Sequence, residues 1–219
     1  MIVTIDGPAG VGKSTAARQL AERLGFDFLD TGAMYRAVAL SCIQRGWSPA
    51  DHDLSARVAA TVKIEALSGH VLCDGRDVSG SIRTPEVSHA ASIVAQNPEV
   101  REALVQQQRE VASSRDIVSE GRDQGTIVFP NAECKFFLTA DPRERAIRRQ
   151  LELEEAGHSI DLEELIRIQK ERDDRDEMRK IAPLRAADDA HTVDTTHRSP
   201  DQVLEYLIQV VHARQPVSP

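Results

Sequence analysis

The chain has 219 residues, 41% of them hydrophobic, which is enough for one large core or a core with small attached lobes. Asp and Glu (35) outnumber Lys and Arg (27), and the net charge of −8 argues against a general binder of nucleic acid or of an anionic membrane; an anion can be held only by a local basic cluster. Three widely spaced cysteines, Cys42, Cys73 and Cys134, have neither CxxC spacing nor histidine partners, so they read as reduced thiols and not as a metal site or a disulfide frame.

The first apolar run, Ile2, Val3 and Ile5, leaves no room for a leader ahead of it, and no apolar stretch approaches the ~18 residues of a membrane span, so a cytoplasmic location is expected. Gly7-Pro8-Ala9-Gly10-Val11-Gly12-Lys13-Ser14 follows, a complete G-x-x-x-x-G-K-[ST] phosphate loop. From Lys13 to Leu24 the apolar positions Ala16, Ala17, Leu20, Ala21 and Leu24 recur at helical spacing, with Gly25 as the stop. A strand before and a helix after are the context that the loop needs, against the alternative of a glycine-rich turn that binds nothing. Gly7, Pro8, Ala9, Gly10, Val11, Gly12, Lys13, Ser14 and Thr15 are therefore the expected ATP contacts. Lys13 brings charge to the β and γ phosphates, and the Ser14 hydroxyl is the expected direct ligand of Mg2+, carried as Mg-ATP.

A second short run, Phe26 to Leu29, leads into Asp30-Thr31-Gly32-Ala33-Met34-Tyr35-Arg36. Between Val62 and Ser81 the pattern changes to short β runs (Val62 to Glu65 and His70 to Cys73) with glycine turns at 69, 75 and 80, followed by the helix entry Arg83-Thr84-Pro85-Glu86. This reads as a small inserted lobe. Helical stretches beyond it carry Ser92 and Arg101, each of which alone reads as a polar side chain facing solvent. A third run, Ile117 to Ser119, leads into Glu120-Gly121-Arg122-Asp123. Strands that alternate with helices predict a parallel sheet covered on both faces, with the ligand crevice beyond the carboxyl ends of its strands. Either of the two runs after a strand could be an ordinary turn with a solvated arginine. Together they bring Arg36 and Arg122 to the rim that already holds a phosphate loop, which points to an acceptor that is itself phosphorylated.

Further strands are expected at Lys135 to Thr139 and Thr192 to Val193, and capped helix starts at Asp141-Pro142-Arg143-Glu144 and Ser199-Pro200-Asp201-Gln202. In the charged stretch from Lys170 to Lys180, Arg172, Asp176 and Arg179 share one face of a helix that Ile181-Ala182-Pro183-Leu184 ends. The stretch is either a solvated helix laced with ion pairs or a flap that closes over phosphates. Arg148 and Arg149 are equally open between a phosphate contact and a basic solvated face, and the tail from Gln215 to Pro219 is expected to be loose.

These motifs, with Val78-Ser79-Gly80-Ser81-Ile82-Arg83-Thr84, Ala90-Ala91-Ser92 and the continuation Gln124-Gly125-Thr126, resemble in order and spacing the bacterial cytidylate kinases, from Ile2 to about Leu207. The resemblance implies a P-loop three-layer α/β fold with a central parallel sheet of about five strands and a helical lid. It implies one kinase domain over 1–219, with a β-rich nucleoside-monophosphate-binding insert over 62–95 and the lid over 143–180. It implies phosphoryl transfer from ATP to CMP or dCMP; separately, a monomer is expected. Ser92, Arg101 and Asp123 would contact cytosine; Tyr35, Arg36, Arg122 and Arg179 would form the acceptor-phosphate pocket; Arg172 and Asp176 would hold the sugar; and Thr31 would be a further CMP contact. Lys13, Arg122 and Arg179 would be catalytic. Glu120 stands where many phosphate-loop enzymes have an Asp that organises Mg2+.

The chemistry fits, because a guanidinium, a hydroxyl and a carboxylate together complement cytosine, whereas the second carbonyl of uracil would oppose Asp123. The acceptor phosphate has its second pKa near ~6 and is already nucleophilic at neutral pH, so charge cancellation and in-line positioning matter more than a general base. Other readings are a kinase for UMP, AMP or a non-nucleotide acid, a nucleotide switch, or a transporter-type ATPase. The switch lacks an N-K-x-D motif, the only asparagines being Asn97 and Asn131, and Leu67-Ser68-Gly69 is too small a part of the ATPase signature.

Overall fold

The computed structural model describes residues 1–155 and 157–214; the tail expected to be loose, 215–219, lies outside the described residues. In chain order the elements are β1 (Ile2–Asp6), α1 (Lys13–Leu24), β2 (Asp27–Asp30), α2 (Thr31–Gln44), α3 (His52–Thr61), β3 (Ile64–Leu67), β4 (His70–Cys73), β5 (Arg76–Asp77), α4 (Pro85–Val94), α5 (Pro98–Ala112), β6 (Ile117–Glu120), β7 (Cys134–Thr139), α6 (Pro142–Glu155), α7 (Leu162–Glu177), β8 (His191–Asp194) and α8 (Pro200–Arg214). The strands β2, β6, β1, β7 and β8 lie side by side and all run parallel, as the alternating pattern predicts.

The inserted strands do not form a sheet of their own. β3, β4 and β5 continue the central sheet antiparallel beyond β2, where Leu29 pairs with Leu67 and the Ser68 N–H donates to the Phe28 carbonyl at 2.9 Å, giving eight strands in one sheet. The outer edge of β2 would otherwise present unpaired N–H and C=O groups, and the insert satisfies them. The first inserted strand starts at Ile64, two residues later than its apolar run, because the Val62 N–H closes the last turn of α3 on the Val58 carbonyl.

Burial follows the three layers. α1 and α8 pack on one face, where Leu20, Phe136 and Leu207 are fully buried; α2, α4 and α5 pack on the other around Met34, Val94 and Leu104. Ala33, Ala37 and Ala39 give α2 a small-residue surface that buries almost completely between the sheet and α4. The helices α6 and α7 have a separate small core of Ala146, Leu153 and Leu165. The helix α7 ends at Glu177, before the expected stop at Ile181 to Leu184. There the chain turns back: the Leu184 N–H donates to the Asp176 carbonyl at 2.8 Å, and Ala182, at φ +52°, and Leu184 are buried. Arg179 is therefore carried by this turn and not by the helix face.

The first glycine of the phosphate loop shows how tightly the loop sits on the sheet. Gly7 has φ +144°, and a Cβ there would lie 2.1 Å from the Leu138 carbonyl oxygen of β7. No side-chain movement relieves a clash with backbone. Gly7→Ala is expected to destabilise the protein by about 2–4 kcal/mol; an unchanged urea midpoint would contradict this packing.

Candidate functional site

The carboxyl ends of β1, β2 and β6 open on one cleft of about 230 Å3, bounded by α4 on one side and α7 on the other. At its floor the phosphate loop leads into α1. That helix has Gly12 at its N-cap, no capping side chain and no acidic residue in its first turn, so its leading N–H groups remain for an anion. The starts of α2, α4, α5 and α7 each carry a capping side chain.

Lys13 is buried, with its Nζ donating to the Pro8 carbonyl at 2.6 Å. Burial first, and Arg122 and Arg172 beside it, push its pKa well below the usual lysine range, while Glu120 and Asp6 work the other way. Ser14 donates its hydroxyl to Glu120 Oε1 at 2.7 Å. Burial and the nearby Asp30 raise the Glu120 pKa, opposed by Lys13, the Ser14 hydroxyl and Arg122. Ser14 and Glu120 form an all-oxygen pair of the kind that suits Mg2+, which takes few protein ligands beside nucleotide phosphates. No cluster of three or more His, Cys, Asp or Glu able to hold a metal is present among the described residues.

The cleft brings together Lys13, Ser14, Thr31, Tyr35, Arg36, Ser92, Arg101, Arg122, Asp123, Arg172, Asp176 and Arg179. Carboxylates hold most of the arginines. Arg122 Nε donates to Asp176 Oδ2 at 3.0 Å, Arg36 Nη2 to Asp30 Oδ2 at 3.1 Å, and Arg101 Nη2 pairs with Asp123 inside the protein, where the two residues are 4% and 3% exposed. Burial raises the Asp123 pKa against the pull of Arg101, Arg179 and Arg122. Burial also opposes the charge on Asp176, yet Arg122, Arg179 and Arg172 hold its pKa below the usual carboxylate range. Arg172 is pushed down to about 10 by burial and by Arg122, and burial pushes Tyr35 up to about 12. Three buried guanidinium N–H groups of the cleft arginines, Arg36 Nε, Arg172 Nε and Arg179 Nη2, have no protein acceptor.

Some expected contacts are placed differently. The Thr31 hydroxyl lines the cleft but donates to the Glu120 carbonyl at 2.6 Å, joining α2 to β6. The Val11 side chain lies in the core, and its carbonyl accepts from the Thr195 hydroxyl at 3.2 Å. Arg148 gives its Nη2 to the Thr195 carbonyl at 2.6 Å, and Arg149 pairs with Glu152 on the surface; neither borders this cleft. A second cavity of about 290 Å3 lies on the other side of the loop, lined by Gly10, Gly12, Thr15, Arg148, Thr195, Arg198, Pro200 and Val203 among others.

Other residues of the site escape the sequence pattern. Asp6, the last residue of β1, accepts from the backbone N–H groups of Gln124 and Gly125 at 2.8 and 2.7 Å and so anchors the wide turn at Gln124–Val128 that follows Asp123. Only its place directly before Gly7 could have marked it. Arg145 on α6 donates to the Ala9 carbonyl at 3.1 Å and pairs with Asp173 on α7, tying both helices to the phosphate loop. Arg175 on α7 donates to Ser92 on α4 at 3.0 Å. Both arginines sit in runs rich in charge, where spacing alone does not separate them from solvated neighbours.

A cytidylate kinase family model matches residues 3–213. Curated relatives named cytidylate kinase include those of Rhodopirellula baltica (48% identical, covering 96% of this chain and 92% of the relative), Syntrophotalea carbinolica (46%, 99% and 94%) and an Enterobacter species (44%, 98% and 95%). Among solved structures, an uncharacterised protein of Eubacterium ventriosum superposes with a TM-score of 0.56 at 15% identity, covering 98% of this chain and 99% of that one. A Thermus thermophilus protein superposes at 0.50 and 20% identity, with 99% and 98% covered. These two likenesses bear on the fold alone.

Burial raises the Asp6 pKa from 3.8 to about 7, beyond what its two backbone hydrogen bonds lower it. An acid whose folded pKa lies above its unfolded value favours folding most at pH below the unfolded value, and that contribution is lost as pH rises toward about 7. Asp6→Asn cannot ionise, so its stability should fall less than that of the parent protein between pH 5 and pH 8. An equal change in unfolding free energy between the two pH values in both proteins, measured by urea unfolding, would refute the shift.

Proposed function

The chain belongs to the cytidylate kinase family and is an ATP-dependent kinase of CMP and dCMP; on that premise we propose how its residues divide the work. The observation that carries the reading is the set of orphaned guanidinium N–H groups on Arg36, Arg172 and Arg179, in the same cleft as Lys13 and Ser14. Buried donors without acceptors cost about 1–3 kcal/mol each, so a site that keeps several of them is built to receive an anion. One anion belongs to the phosphate loop and a second to the arginines.

Lys13 and the leading N–H groups of α1 hold the donor phosphates, and the cavity behind the loop, between Arg148 and Pro200, takes the donor nucleoside. Arg36, Arg122 and Arg179 hold the acceptor phosphate. Arg172 and Asp176 reach the sugar, while Arg101 and Asp123 face the base, the carboxylate accepting from the cytosine amine. Ser14 and Glu120 would hold Mg2+, which when bound neutralises phosphate charge. Tyr35, under the Arg101 guanidinium at 5.7 Å from its ring centre, keeps that arginine in place. Bringing two polyanions together is the obstacle, and the cations remove it while the lid excludes water. We read the enzyme as a monomer in the cytoplasm, a setting whose reducing conditions suit its three free cysteines.

ADP release from Mg-ATP should be strong with CMP and dCMP and weak with UMP, AMP or no acceptor; preference for another acceptor would overturn the base assignments. Lys13→Ala and Arg179→Ala should each lower kcat by roughly a hundredfold or more. A loss under tenfold in both would reject charge cancellation as the main source of rate. Asp123→Ala should hurt CMP turnover far more than basal ATP hydrolysis, and equal losses would sink its role in base choice.

A further inference from the structure

The mechanism gives no task to Arg175, yet among the described residues its bond to Ser92 is the one hydrogen bond that joins α7 to α4 across the mouth of the cleft. Arg175 does not border the cavity, whereas Ser92 does. The polarity of the hydroxyl is forced by its two partners. A carbonyl can only accept, so the one proton of Ser92 goes to the His89 carbonyl at 2.8 Å. A guanidinium can only donate, so Arg175 Nη1, at 3.0 Å, occupies one of the two lone pairs. A single group remains for the cleft, the second lone pair, and it is an acceptor.

An acceptor at that place distinguishes the two pyrimidines. The exocyclic amine of cytosine has two hydrogens, one for Asp123 and one for Ser92. The corresponding atom of uracil is a carbonyl oxygen, which meets a lone pair. Without the guanidinium, Ser92 keeps only its bond to His89 three residues back, a bond that serine makes and breaks easily, and the hydroxyl is free to rotate and donate to a carbonyl. Arg175 is itself aimed by its Nε, which donates to the Glu171 carbonyl at 3.1 Å on the same helix.

We propose that Arg175 is a positioning residue for base choice: from the lid helix it fixes the Ser92 hydroxyl as an acceptor, so that closure of α7 over α4 completes the discrimination against uracil. The proposal rests on the reading that Ser92 faces the base. It makes the lid part of the base pocket, although no lid side chain other than those at the sugar and phosphate borders the cleft.

The experiment compares kcat/KM for CMP and UMP in the parent protein, in Arg175→Ala and in Arg175→Met, the second variant keeping the aliphatic bulk should the first fail to fold. The CMP-to-UMP ratio is expected to fall about three- to tenfold, as one net hydrogen bond would allow. In a Ser92→Ala background the same change at Arg175 is expected to leave the ratio where Ser92→Ala puts it. A ratio that stays constant while both substrates lose rate equally would overturn the proposal and leave Arg175 as a closure contact only. A further fall in the Ser92→Ala background would also overturn it. Failure of the parent protein to phosphorylate CMP would instead strike the functional reading, and the parent's own CMP rate separates that case.

Discussion

Mutual compensation of buried charge at the carboxyl edge of the sheet is the constraint on which the site depends. A chain with a net charge of −8 gathers Lys13, Arg36, Arg101, Arg122, Arg172 and Arg179 into one cleft, where like charges would repel strongly in a low-dielectric setting. Asp30, Glu120, Asp123 and Asp176 make this possible by standing between them. Their pairing also limits each arginine to a few orientations, so the N–H groups left over are held in fixed directions. The opposing shifts of Asp123 and Asp176 follow from the same balance: burial wins at the first, and the three surrounding arginines win at the second.

That balance also accounts for how α6 and α7 are attached. α6 and α7 have only a small core of their own and rely on polar ties to the rest of the molecule. Arg145 bonds at once to the phosphate loop through Ala9 and to Asp173, Arg122 reaches Asp176, and Arg175 reaches Ser92. Each tie ends on a residue at or beside a ligand site. Polar ties of this kind are exchanged more readily than apolar packing.

Much of this was legible in the letters because some functions need a fixed local sequence. A phosphate loop requires its glycines, lysine and serine within a single turn, and the loop at Gly7 to Ser14 sits where its pattern placed it. Proline-led helix starts at Pro142 and Pro200 were equally readable, since capping is a matter of three or four neighbours; Ser199 and Gln202 do bond reciprocally, at 2.9 and 3.2 Å. The end of α7 was not readable, because a turn that folds Leu184 back on Asp176 is decided by the apolar surface waiting for Ala182 and Leu184. The edge-to-edge joining of the insert to β2 likewise depends on a free strand edge that no window of sequence reveals.

The sequence by itself determined the phosphate loop, the alternating strands and helices, and the chemical types gathered after each strand, because these rest on spacing within one or two turns of chain. Tertiary structure alone decided which charges face one another. Arg101 meets Asp123 from a different element, Arg122 meets Asp176 over 54 positions, and Arg175 meets Ser92 over 83. In a run such as Lys170 to Lys180 several arginines are chemically alike, and only the packing of α7 against the cleft sorts them. Arg172 lines the cleft, Arg175 reaches a serine on the opposite wall, and Arg179 is delivered by the turn beyond the helix. Local propensity acts over a few residues, whereas charge pairing acts through space, so only the folded chain could assign these partners.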